Sequence, residues 1–283
     1  MKKIGALLCN LLCLAGILLV TAGCSTLGRP PLPETLYPEL PPESAGEQLW
    51  QPAAEGIVGV DYLHVPEAGT IPAFHIVKAN LSNPRIEVVP HLPQPRGTRI
   101  EEVPADGSEI VIVNANPFRY RFSFHGLVRE PVGLFIVDGE KYAPPHKNWG
   151  VFWRDAGGSF HITAGPLPEE RMDWAVGGYL PILEDGENIG IHGERRARTA
   201  LGLNRSLDTL FILVVEGEKP DYPGLTSRET AMILQQLGAW DALNLDGGGS
   251  SVLWIGGTVY SGRTRKLACY LKIQSIPEAG ISR

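Results

Sequence analysis

The stretch TSRETAMILQQLGAWDALNLDGGGSSVLWIGGTVY, residues 226–260, decides how the chain must fold. It opens as a helix. Thr226 has the hydroxyl of an N-cap, Glu229 three residues on is its capping-box partner, Ala231, Met232, Leu234 and Leu237 supply the apolar side, and Gly238 is the stop. It closes as a hairpin, with Gly256-Gly257 as the turn inside WIGGTVY. Between the two lies LNLDGGGSS, residues 243–251. Three consecutive glycines cost backbone entropy unless the chain must turn sharply or approach something closely.

Outward from this segment, short apolar runs recur between Gly, Pro, Asn and Asp: VDYLHV, AFHIVKA, IEVVP, EIVIVNAN, VGLFIVDG, GVFW, SFHIT, RTALGL, TLFILVVEG and LACYLKIQ. Their length and punctuation are those of strands. Only residues 226–238 read as a convincing long helix, with a weaker one expected over 166–176. Gly 33 and Pro 24 account for about a fifth of the 283 residues, which suits turns and sheets better than a helical bundle. The expectation is an α+β domain, a strand-rich mixed sheet core with few helices, running as one unit over residues 53–283.

Residues 43% hydrophobic and 20% charged make an ordinary globular chain, neither disordered nor a multi-span membrane protein. The formal net charge is -6, and it becomes more negative if Lys2 and Lys3 are removed. Such a chain has no electrostatic means of gathering nucleic acid, so no nucleic-acid partner is expected. Met1-Lys2-Lys3, the apolar run Ile4 to Val20 and Thr21-Ala22-Gly23-Cys24 form a charged start, hydrophobic middle and small-residue end, the pattern of an export signal over residues 1–23. A permanent membrane span is the other reading, but no basic stop follows Cys24. Ala-Gly-Cys resembles the boundary of bacterial lipoprotein signals. That resemblance implies a lipid on Cys24, a membrane anchor, and a place in the bacterial cell envelope facing away from the cytoplasm.

Residues 24–52, with Pro30, Pro31, Pro33, Pro38, Pro41 and Pro42, read as a polyproline-like tether. Cys9 and Cys13 fall in the leader, so Cys269 is left alone as a buried structural thiol within a strand. The seven histidines show no H-E-x-x-H or H-x-H spacing, and neither a metal nor another cofactor is expected. The glycine loop has neither nucleotide-loop spacing, and G-x-S-x-G is absent. Its amides could instead cradle an anion, with Ser250 and Ser251 adding hydroxyls. A tight structural turn capped by Asp246 is the alternative.

Several segments together resemble the NAGPA-type phosphodiester glycosidases. They are NLDGGGSS at 244–251 after a helix, Arg198-Thr199-Ala200-Leu201-Gly202 followed by TLFILVVEG, Val113-Asn114-Ala115-Asn116-Pro117-Phe118, and the strands VGLFIVDGE and AVGGYLPILEDGE. The resemblance spans about residues 70 to 275. Ala197 stands where relatives usually have Pro, and the residues around Phe118 and Tyr260 also depart from the family pattern.

The resemblance implies a hydrolase that cleaves the anomeric C–O bond of a sugar 1-phosphodiester, with a sugar-phosphate or glycan as its substrate. The other class carried forward is an envelope lipoprotein that binds sugar phosphates or cell-wall glycans without turnover. Phosphate, whose second pKa is about 6, needs little protonation to leave. A guanidinium and a nest of amides could therefore replace the acid of an ordinary glycosidase pair. Asp246 is expected as base or nucleophile, Arg198 and the amides of Gly247, Gly248, Gly249, Ser250 and Ser251 at the phosphate, and Thr199 as a further donor. Asn114 and Asn116 are expected to hold sugar hydroxyls or to orient a carboxylate, Asn244 is expected at the substrate, and Glu216 is a second candidate carboxylate. Asp138 and Asp185, each before a glycine at a strand end, read as turn formers.

Overall fold

A computed structural model describes residues 50–104, 106–124, 126–260 and 265–276. The expected leader over 1–23 and all but the end of the tether over 24–52 lie outside them. The sheet claims the tether's last residues: Gln51–Pro52 pairs with Asp61 and Tyr62.

Three sheets enclose a shared core. The largest orders its strands Gln51–Pro52, Val60–Val65, Phe74–Asn80, Thr209–Val215, Arg198–Asn204, Ala239–Asn244, Pro181–Glu184 and Glu187–Asn188. A second runs Phe160–Ala164, Gly150–Asp155, Met172–Gly177, Phe135–Val137 and Glu140–Ala143. The third runs Thr258–Tyr260, Leu253–Ile255, Glu109–Asn114, Tyr270–Ser275 and Ile86–His91. Val77, Leu201, Ile212 and Leu243 of the first, Phe135, Phe152 and Trp174 of the second, and Val111, Val113 and Leu271 of the third meet in one buried cluster. Alternation along each strand sends these side chains inward together.

Every one of these strand pairings is antiparallel, so the mixed sheet expected from sequence is corrected to antiparallel sheets. The fold is mainly β. Among the described residues there is one α-helix, Ser227–Gln236, where the sequence places it. Thr226 Oγ1 accepts from Glu229 N at 3.2 Å while Thr226 N donates to Glu229 Oε2 at 2.8 Å, and Gly238 ends the helix with φ +92°.

The weaker helix over 166–176 does not form. Glu169–Arg171 is a single 3₁₀ turn, and Met172–Gly177 is a central strand. Trp174 and Val176 enter the main core while Met172 and Ala175 pack with Leu134 and Trp153 on the other face. A strand buried on both faces loses the polar alternation that would have betrayed it.

Local turn chemistry is as read. Asp138-Gly139 and Asp185-Gly186 sit at φ +50°, +73° and +51°, +79°, and Gly256-Gly257 at +52° and +96°, the two positive φ values of a type I′ hairpin turn. Cys269 is buried, and burial pushes its thiol well above the usual range. A separate hairpin, Phe118–Ser123 with Gly126–Pro131, was not anticipated, although Phe118, Tyr120 and Phe122 alternate with Arg119, Arg121 and Ser123 at the strand period.

Candidate active site

Three neighbouring strands bring the candidate residues to one end of the large sheet. Arg198 begins Arg198–Asn204 and pairs with Val215, while Ala200 pairs with Asn244 at the end of Ala239–Asn244. The chain continues from Asn244 into the glycine loop, which main-chain bonds tie to its neighbours and to itself. Leu245 N donates to Thr199 O at 2.8 Å, Asp246 N to Ala115 O at 3.2 Å, Gly248 N to Ala197 O at 2.8 Å and Ser250 N to Gly247 O at 3.1 Å. The loop is thus held between the start of one strand and the end of Glu109–Asn114.

Asn114 is the keystone of that joint. It is buried; its Nδ2 donates to Asp246 O at 2.8 Å, and its Oδ1 accepts from Thr199 Oγ1 at 2.8 Å and Val252 N at 3.0 Å. All of its polar atoms serve the frame. The same holds for Asn116, which clamps Val132 O, Gly133 O and Leu134 O and accepts from Gly177 N. The hydroxyl of the fully buried Thr199 donates to Asn114 Oδ1. Of the two roles expected for the asparagines, this geometry suits the orienting one: Asn114 and Thr199 hold the loop that carries Asp246.

Most amides of the expected nest have main-chain or side-chain partners within the protein. Gly247 N donates to Asp246 Oδ1 at 3.0 Å, and the Gly248, Ser250 and Ser251 amides are taken by Ala197, Gly247 and Gly248 carbonyls. Of the five, Gly249 N alone has no such bond to another described residue. Ser250 Oγ is occupied by Arg265 Nη2, and Ser251 is buried. The loop's glycines serve close approach: Gly248 turns at φ +59°, which a side chain would strain.

Asp246, Gly247, Gly248, Asn244 and Arg198 do meet. They line a cavity of about 520 Å³ with Arg196, Glu194, Trp149, Tyr179 and an apolar wall that includes Leu180, Ile189 and Ile191. Arg198 is mostly buried, its Nε donating to Leu225 O at 2.9 Å and its Nη2 to Glu194 O at 2.7 Å. Two carbonyls aim the guanidinium without neutralising it. Among the described residues no carboxylate lies at ion-pair distance from Arg198, and the Glu194 carboxylate goes to Arg196 instead. Burial and then the Arg196 charge press the Arg198 pKa down. An arginine nevertheless stays protonated, so this is a standing positive charge.

The strap that presents these arginines depends on one glycine. Arg196 and Leu225 exchange main-chain bonds, and a Cβ on Gly224 would lie 2.0 Å from the Arg196 carbonyl.

Burial raises the Asp246 pKa, against hydrogen bonds from Ser250 and Gly247 and the charge of Arg265. Its carboxyl is therefore better suited to take up a proton than an exposed aspartate would be. Asn244 Oδ1 is buried without a partner while its Nδ2 donates to Leu245 O. Trp149 and Tyr179 meet edge to face at 4.8 Å between centroids. Neither was anticipated, because a lone aromatic beside a glycine has no sequence signature of its own.

Glu216 is not brought to the cavity. Val215 shares a sheet face with its cross-strand partner Arg198, and the alternation sends Glu216 to the opposite one. There its Oε1 meets His75 Nε2 at 3.3 Å and its Oε2 accepts from Lys219 Nζ at 2.9 Å. Among the described residues no group of three or more His, Cys, Asp or Glu side chains is arranged to hold a metal.

A family model described as phosphodiester glycosidase matches residues 107–273. No curated protein matches the chain. Among solved structures, the catalytic domain of zebrafish N-acetylglucosamine-1-phosphodiester alpha-N-acetylglucosaminidase, auto-inhibited by its pro-peptide, is similar with a TM-score of 0.57 at 17% identity, over 80% of this chain and 86% of that one. A Synechocystis protein is similar with a TM-score of 0.58 at 15% identity over 77% of this chain, which spans 62% of its length. A Burkholderia pseudomallei protein scores 0.52 at 15% identity, over 77% of this chain and 74% of that one. At these identities the likeness is one of fold.

Proposed function

Because the chain belongs to the phosphodiester glycosidase family, we propose that it hydrolyses a sugar 1-phosphodiester at the anomeric carbon, releasing the free sugar and a phosphomonoester. One observation carries the reading: the partly buried guanidinium of Arg198, with no carboxylate at ion-pair distance among the described residues, shares a cavity with the partly buried carboxyl of Asp246. A guanidinium that no described carboxylate contacts suits an anionic ligand, and the phosphodiester supplies it.

Asp246 acts as base. It takes a proton from water as the water oxygen bonds to the anomeric carbon; the bond from that carbon to the phosphate oxygen breaks, and its electron pair leaves with the phosphate. Arg198, with Arg196 beside it, stabilises the charge that builds on the departing phosphomonoester. No acid is needed opposite the base, since the leaving group is already weakly basic. The rings of Trp149 and Tyr179 give the sugar's apolar face a surface to pack on.

The test is product mass spectrometry on a panel of sugar 1-phosphodiesters in water enriched in heavy oxygen. Heavy oxygen on the sugar is the expected result; heavy oxygen on the phosphate would reassign the chemistry to a phosphodiesterase. We further propose export and lipid attachment at Cys24, on the strength of residues 1–24. A fatty-acid label incorporated by the wild-type chain and absent from Cys24→Ser is expected, and label retained in the variant would refute it.

A further inference from the structure

The hairpin Phe118–Ser123 with Gly126–Pro131 is a two-stranded sheet of its own, outside the three that build the core. Its register places Phe118 opposite Pro131, Tyr120 opposite Arg129 and Phe122 opposite Leu127, so these side chains share one face. Arg119 and Arg121 lie on the other, both paired with Glu130. Exposure climbs along the aromatic face from a partly buried Phe118 at the base to Tyr120 at 52% and Phe122 at 86%, and Phe124 in the turn is fully exposed. Two phenylalanines at the far end of a two-stranded projection contribute nothing to the core. Large apolar side chains presented outward in a group mark a surface built for contact.

We propose that this hairpin is a membrane-surface probe, whose Phe122 and Phe124 enter the headgroup region of an anionic phospholipid bilayer. Shape, charge and length each support a lipid occupant. A convex tip of two rings fits a fluid interface, whereas a protein partner would require a far broader matching surface. Three arginines against Glu130 give the hairpin a net positive charge in a chain whose total is -6, so the attraction to an anionic surface is local to this element. Phe124 lies three positions beyond Arg121, at most roughly 10 Å along the chain, within the depth to which interfacial side chains reach below a headgroup-bound cation. The base is anchored rather than loose: the Arg265 guanidinium lies 5.5 Å from the Phe118 ring centroid and also donates to Ser250 Oγ in the loop that carries Asp246.

The experiment places the photoreactive residue p-benzoylphenylalanine at position 124 of the full chain, and at Val58, also exposed at 83%, as the control. Each protein is illuminated with vesicles of phosphatidylcholine, with and without phosphatidylglycerol, and the adducts are identified by mass spectrometry. A lipid adduct at position 124 at least tenfold above that at position 58, and falling severalfold without phosphatidylglycerol, is the expected result. A Phe122→Ser variant carrying the probe at 124 should lose most of that adduct. Equal yields at 124 and 58, an adduct to a second copy of the chain in place of lipid, or no adduct at all would overturn the proposal. Equal yield in both vesicle types would overturn the anionic headgroup assignment. Turnover is not read in this experiment, so its outcome is separate from that of the proposed reaction.

Discussion

The side-chain amide of Asn114 donates to the main-chain carbonyl of Asp246 across 2.8 Å, joining two residues 132 positions apart in the chain. The contact fixes the backbone of the glycine loop and leaves the Asp246 carboxyl to the cavity. Asn114→Ala removes this bond together with those to Thr199 and Val252, leaving buried partners unpaired. A loss of roughly 2–4 kcal/mol is expected in urea denaturation, with turnover falling in the fraction that stays folded.

Arg198→Lys keeps the charge but loses the fork that two carbonyls hold in place. Turnover should fall by roughly ten- to thousand-fold, and less for a substrate whose leaving group departs easily. Steady-state rates on a matched pair of substrates check this. An equal loss on both would refute the leaving-group role.

Asp246 governs the acid limb. Burial raises its pKa, so the rate should rise with pH through a value above that of an ordinary aspartate, as a base must be ionised to act. Stability should move the other way. The folded-state pKa lies above the unfolded one, so between them the folded chain binds more protons, and stability falls as pH rises through that window. Asp246→Asn, inactive towards both substrates, should therefore melt higher than the parent at neutral pH and match it once both carboxyls are protonated. Calorimetry across pH reads the crossover.

Glu216→Gln should leave turnover within about threefold of the parent, because its carboxylate belongs to His75 and Lys219 on the opposite sheet face, and cost about 1 kcal/mol of stability. Burial alone would raise the Glu216 pKa, but the bonds and charges of Lys219 and His75 outweigh it and hold the group below the usual glutamate range. The stability it contributes is present above that range and lost as pH falls through the folded-state pKa. Melting curves of the two proteins should therefore converge in acid. A hundredfold loss of turnover would return Glu216 to the reaction.

What the sequence determined by itself is whatever local physics decides. The capping box at Thr226 and Glu229, the stop at Gly238, the Asp-Gly and Gly-Gly turns and the short apolar strands all rest on neighbours within a few residues. Asp246 and Arg198 were legible through a motif. What only the tertiary structure decided is which of the motif's polar atoms remain free. The Gly248 amide is spent on Ala197, Asn114 and Asn116 turn their amides to the frame, and Asn244 Oδ1 is left without a partner. Those outcomes depend on strands far apart in the chain lying side by side, as when Glu109–Asn114 joins Leu253–Ile255 and Tyr270–Ser275. Pleat alternation tells which residues share a face of one strand, but not which strand lies beside it. Only that adjacency sends Glu216 away from Arg198 and brings Trp149 and Tyr179 to the wall beside Asp246.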